Sequence, residues 1–295
     1  MTDRAVATAL LAPLLLALAL SWSRLLGAGC HVPHDGDYFE ARRVLEAQRF
    51  TRGTDALAVL PPWSLRPFTV LGDLEPISGD ALADQPLQRY ARLFVLVEPD
   101  AEDDHDALVA RLGAPAAVEQ VGRVVVERWD LPPPSVTFDF RARLAEATVT
   151  LGRERCDQPV RGGVGCGGDR RLRVTREWLL VSENADDAVW SRPPPRGQTL
   201  EIAWDAVPLG EALLVRAGFT RDGADRARAP VRVTVWADDV EVGRVVREPA
   251  FAFTTSRLDT HALLGTSARV RFVVDTDDAE GADFAWDAIA VGGGP

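Results

Sequence analysis

Hydrophobic and polar positions divide the chain into three stretches of different periodicity. From Ala5 to Trp22 the sequence AVATALLAPLLLALALSW holds eighteen residues without a charge. A helix needs about 20 apolar residues to span a hydrocarbon core, and the core of a signal peptide needs about 7–15. The run therefore predicts a segment that enters or crosses a membrane and places the rest of the chain outside the cytoplasm. Behind it, residues 38–50, YFEARRVLEAQRF, set Phe39, Val44, Leu45 and Phe50 with Ala41 and Ala47 along an amphipathic helix, with Asp35 or Asp37 available as a cap. Residues 56–60, ALAVL, and 93–97, LFVLV, are continuously apolar. Such runs mark strands buried on both faces, as in parallel sheets. Residues 100–111 begin acidic and turn apolar, a helix with acids at its positive end. A third strand begins at Val124 and leads to Trp129. Helix, strand, strand, helix, strand predicts a small α/β domain over residues 35–131.

The pattern changes after Leu131-Pro-Pro-Pro-Ser135, whose residues 132–135 read as a stiff linker. Short runs now recur at a spacing of roughly ten residues, separated by turn residues such as Gly162-Gly163, Asp222-Gly223 and Asp238-Asp239. They are Thr148–Leu151, Leu172–Val174, Trp178–Val181, Leu200–Trp204, Ala212–Ala217, Val231–Trp236, Val240–Val246, Ala250–Thr254, Arg269–Asp275 and Phe284–Val291. Alternation is clear in Leu200-Ile202-Trp204, Val231-Val233-Val235 and Val270-Phe272-Val274. Residues 136–293 are thus expected to form an antiparallel, jelly-roll-like β-sandwich. The fold class expected for the whole is α+β multidomain: an N-terminal membrane helix within residues 1–30, a small α/β domain and a C-terminal β-sandwich.

Charge narrows the function classes. The formal net charge is −11, and the 33 basic residues are all Arg, dispersed among acids. No basic face is available to neutralise phosphates, which excludes nucleic acid as an expected partner. Three cysteines remain. Cys156 and Cys166 flank a Gly-rich loop, DQPVRGGVG, and are expected to pair in an oxidising compartment. A zinc site would need a further Cys/His pair of matching spacing, which the sequence does not offer. Cys30 stands at the membrane exit. The stretch Leu26-Gly27-Ala28-Gly29-Cys30 resembles a bacterial lipoprotein box, with Gly27 where Leu is usual. Three fates of the leader stay open: retention as an anchor through residues 5–22, cleavage after Gly29, and lipidation of Cys30.

Several features of residues 35–131 form a further pattern. They are a helix, Asp55 leading into ALAVLPPW, then YARLFVL from Tyr90, then a helix leading into VVVERWDL. This block resembles the soluble extracytoplasmic domain of lipid-linked-sugar glycosyltransferases of the protein-mannosyltransferase type. Those enzymes are polytopic and carry their catalytic acids between membrane helices. With a single hydrophobic segment here, the resemblance implies a detached accessory domain and not a transferase. By architecture, residues 136–293 look like the galactose-binding-like jelly rolls.

Among candidate site residues, Trp236 shares the outward register of VRVTVWA with Arg232 and Thr234, where a Trp can stack on a sugar ring. Trp178 and Trp190 read as core or interdomain contacts. The carboxylates Asp275, Asp277, Asp278, Glu280 and Asp283 fall in one turn without the order of a calcium loop. His31, His34, Asp35 and Asp37 have ligand-like spacing in an exit loop, and Glu98 to Asp106 form an acidic run read as a solvated helix start. Neither a nucleophile elbow nor a phosphate-binding glycine loop is present. The expectation is a non-catalytic, membrane-tethered extracytoplasmic protein without metal or cofactor, whose sandwich binds a glycan or an envelope protein. The alternative is an accessory subunit of a glycosyltransferase in envelope glycan assembly.

Overall fold

The computed structural model describes residues 32–167, 172–181 and 185–292. The expected membrane helix and Cys30 lie outside the described residues. No described helix is long and apolar enough to cross a membrane.

Residues 35–131 form a five-stranded mixed sheet covered on both faces. Its strands are β1 (Asp55–Leu60), β2 (Ile77–Ser78), β3 (Arg92–Val97), β4 (Ala117–Val121) and β5 (Val124–Asp130), in the order β2-β1-β3-β5-β4. β1 runs parallel to β2 and β3, and β5 is antiparallel to β3 and β4. Helix α1 (Asp35–Ala47) sends Tyr38, Ala41, Val44 and Leu45 onto one face against Leu57, Val59, Phe94 and Leu96. The other face, Ala56, Ala58, Leu60, Leu93 and Val95, takes Leu82 and Leu108, the latter from α3 (Glu102–Leu112). Burial on both sides explains why β1 and β3 read as unbroken apolar runs. A short helix α2 (Arg66–Val70) follows β1.

Helix α1 begins three residues earlier than its apolar spacing suggests. His34 is the N-cap, and the Asp37 carboxylate accepts from the His34 backbone N–H at 2.8 Å. Asp35 is engaged elsewhere, 2.6 Å from Arg66. These residues are consumed by capping and pairing, and no group of three or more metal-ligating side chains occurs among the described residues. Glu98 also departs from the solvated acidic run, for it is buried at the end of β3.

Residues 136–292 form two antiparallel sheets packed face to face. The strands, in chain order, are β6 (Val136–Asp139), β7 (Thr148–Leu151), β8 (Glu154–Arg155), β9 (Gln158–Val160), β10 (Gly163–Gly165), β11 (Arg173–Leu180), β12 (Ala185–Ser191) and β13 (Leu200–Pro208). They continue with β14 (Ala212–Phe219), β15 (Val231–Ala237), β16 (Val240–Arg247), β17 (Phe253–Asp259), β18 (Ser267–Thr276) and β19 (Phe284–Val291). One sheet has the order β17-β14-β19-β12-β11-β10-β9 with β6 on β19, and the other β16-β15-β18-β13-β7-β8. Between them Trp204, Phe140, Phe272 and Trp286 form an aromatic core, with Phe272 stacked on Trp286 at 4.8 Å. The alternating residues of β13, β15 and β18 face this core as expected.

Three details differ from the sequence reading. The runs 172–174 and 178–181 belong to one strand, β11, because Arg176 and Glu177 continue the ladder against Val189 and Ala188. The run expected at 250–254 is displaced to β17, which pairs with β14 from Phe253 onward. β12, ADDAVWS, lacked an apolar run and was not legible. Cys156 and Cys166 are disulfide-bonded. The linker holds the two domains together at its ends: the Leu131 and Ser135 N–H groups donate to the carbonyls of Ala91 and Gln88, and the Ser135 carbonyl accepts from Gly292.

Candidate functional site

The larger sheet of the sandwich has a buried outer face. β14 and β19 are buried at every position. Each carries one charge in an otherwise apolar run, Arg216 in ALLVRAGF and Asp287 in FAWDAIAV, and the two are cross-strand partners. The α/β domain covers them. A single-turn 3-10 helix, Leu87–Arg89, delivers Arg89 onto Asp287 with Nη2 donating to Oδ1 at 2.6 Å and Nη1 engaging Oδ2. Nε of Arg89 is 3.2 Å from Asp139. Nearby, Thr255 donates to the Asp84 carbonyl at 2.5 Å and Gln85 donates to Asp186 at 3.1 Å.

Around Asp287 four arginines meet four aspartates. Arg216 is 2.7 Å from Asp186 and packs its guanidinium over Phe253. Arg141 donates to the Asp187 carbonyl at 2.6 Å, and Arg176 reaches the Asp187 carboxylate at 2.5 Å. Burial alone would push the Asp287 carboxyl up, but Arg89, Arg141 and Arg216 more than offset this and hold it far below the usual carboxylate range. Burial likewise acts to lower Arg89, and Asp287 with Asp139 hold it above its ordinary value.

Beside this cluster a cleft of about 450 Å³ opens between the domains. Arg52, Glu75 and Tyr90 line it from the α/β side, and Arg176, Trp178 and Asp187 from the sandwich. Trp178 stands directly across the ladder from Asp187 and two residues from Arg176, so the indole and the guanidinium share a side of β11. Trp178 is 53% exposed and opens onto the cleft. The arrangement offers fixed forked donors, carboxylate acceptors and one open aromatic face. Ser78, which also lines the cleft, is buried and its hydroxyl engages the Asp80 carboxylate, and no histidine is among the described lining residues.

The expected trio is brought together on the outer side of the smaller sheet, but it lines none of the described clefts. Arg232 is committed to Asp275 and Asp277, at 2.6 and 2.7 Å. Thr234 is buried rather than open, and its hydroxyl accepts from Arg244 at 3.1 Å. Arg271 lies over the Trp236 ring at 5.6 Å. The acidic turn divides its work: Asp275 and Asp277 serve Arg232, whereas Asp283 accepts from Thr220 and Trp190. The sequence signal for the interdomain site was the lone charge in each of two continuous apolar strands, since an isolated charge on a buried face requires a partner.

No protein-family model matches the sequence, and comparison with curated proteins gives no match. The solved structures it is similar to include carbohydrate-binding β-sandwich modules. One contains the CBM51-2 and INT domains of ZmpB from Clostridium perfringens, at 16% identity and a TM-score of 0.30, covering 39% of this chain and 25% of that one. The same pair of domains with GlcNAc gives 12% identity and a TM-score of 0.34, over 61% of this chain and 38% of that one. The CBM51 of a Clostridium perfringens GH95 protein in complex with methyl-galactose gives 11% and 0.31, over 52% of this chain and 99% of that one. The chain thus spans well under half the length of the first two.

Proposed function

We propose that this chain is a non-catalytic, membrane-tethered extracytoplasmic protein that binds a glycan in the cleft between its α/β domain and its β-sandwich. The observation carrying this reading is Trp178, exposed beside the Arg176–Asp187 pair at the mouth of a polar cleft. A pyranose has a polarised C–H face suited to an aromatic ring and hydroxyls suited to paired donors and acceptors. Arg176 and Asp187 are each fixed by the other, so both are oriented before the ligand arrives. The Trp236 face is the weaker choice, because Arg271 already lies over the Trp236 ring and the trio lines none of the described clefts. Membrane tethering through residues 5–22 and the extracytoplasmic location rest on the sequence of the leader.

A glycan array probed with the full chain tests the reading. It should give a restricted set of bound glycans, lost by at least about tenfold in Trp178→Ala and retained in Trp236→Ala. An empty array, or loss in Trp236→Ala alone, contradicts it. The alternative, an accessory subunit of a lipid-linked-sugar glycosyltransferase, rests on the sequence resemblance of residues 35–131 alone. It requires transfer activity that depends on co-expression with a polytopic partner.

A further inference from the structure

Four of the eleven large apolar residues exposed among those described fall between residues 32 and 65: Val32, Phe39, Trp63 and Leu65. Trp63 is 68% exposed and Leu65 64%, more than any other in that set. Two ties bring together the segments that carry three of them. Tyr38, next to Phe39, and Ser64, between Trp63 and Leu65, both donate to the same carboxylate oxygen of Glu98, at 2.7 and 2.8 Å. Arg66, next to Leu65, pairs with Asp35, one helical turn before Phe39. Val32 borders the face through its own chain, its carbonyl accepting from Arg123. Of the charges at the edge, Arg66 pairs with Asp35, and Arg123 engages the Val32 carbonyl and His34.

We infer that this face rests in the interfacial layer of the bilayer that residues 5–22 enter. The inference rests on the reading of that segment as membrane-inserted. Only nine residues separate Trp22 from Val32, so Val32 stays within about 35 Å of the exit point even with the chain fully extended. Trp, Phe and Leu are the side chains that settle at the headgroup boundary. The partner is zwitterionic lipid: the face offers no unpaired cationic cluster and the chain carries a net charge of −11. Docking in this way also orients the cleft. The sandwich, which carries Trp178, is joined at the start of β3, where the Leu131 N–H donates to the Ala91 carbonyl, whereas Trp63 and Leu65 follow the end of β1, a parallel strand of six residues and about 20 Å. The bound face points Trp178 out of the lipid, while Ser78 on the α/β wall of the cleft reaches the Pro62 carbonyl.

The test uses the full chain in phosphatidylcholine nanodiscs, with Trp22→Phe as background and brominated acyl chains as quencher. The emission owed to Trp63, obtained by subtracting the Trp63→Phe spectrum, should fall by more than half in brominated lipid. The emission owed to Trp178, obtained the same way with Trp178→Phe, should not change. Equal emission from Trp63 in plain and brominated lipid overturns the inference, as does failure of the chain to enter the nanodiscs. The readout is independent of glycan binding, so either reading can fail alone.

Discussion

Arg89 and Asp287 stand 198 residues apart in sequence and form a two-pronged ion pair that joins the α/β domain to the middle of a buried β-sheet face. Asp287 is 1% exposed, so its charge is tolerable only while the arginines surround it. Arg89→Ala is expected to destabilise the protein by about 3–5 kcal/mol, because it leaves that carboxylate buried with its closest partner removed. The double variant Arg89→Met with Asp287→Leu should recover most of the loss. Denaturant unfolding of the three proteins measures both effects, and equal loss in single and double variants would place the stabilisation elsewhere.

Two buried carboxylates give stability opposite dependences on pH. Asp287 is held far below its ordinary value of 3.8 in the folded protein. Its contribution is complete above that value and is lost as pH falls below it toward the depressed folded value. Glu98 is raised above its ordinary 4.5, first by burial, with the hydrogen bonds from Tyr38 and Ser64 acting in the opposite direction. Stability linked to Glu98 is therefore full below 4.5 and falls as pH rises through the raised folded value. Unfolding free energies measured across pH should show Glu98→Gln flattening the loss above 4.5, while the acid limb stays unchanged.

The Cys156–Cys166 bridge closes a loop of sequence separation 10. In the chain-entropy view this constrains the unfolded chain by about 3 kcal/mol. Both cysteines belong to the sandwich core, so replacing them with Ser should cost at least that amount. Unfolding midpoints with and without reductant measure it. A reductant effect that persists in the double Ser variant would contradict the assignment.

What the sequence revealed follows from how each strand is buried. β13, β15 and β18 face the core on one side and solvent on the other, and their alternation announced them. β12 was hidden because Asp186 and Asp187 are polar residues recruited to the interdomain cluster, which breaks any local pattern. β14 and β19 read correctly as strands, and burial at every position, including their single charges Arg216 and Asp287, follows from the cover that the α/β domain gives their outer face. Trp236 attracted attention because outward register is local information. That Arg271 lies over it and that Trp178 opens onto a cleft are consequences of packing between segments remote in sequence.

A glycan bound in the interdomain cleft is expected to contact Trp178. The most direct measurement is fluorine NMR of the full chain labelled with 5-fluorotryptophan, each resonance assigned by a single Trp→Phe variant, during titration with a glycan selected on the array. The Trp178 resonance should shift saturably while that of Trp236 stays in place. A saturable shift of Trp236 with Trp178 unmoved would contradict it.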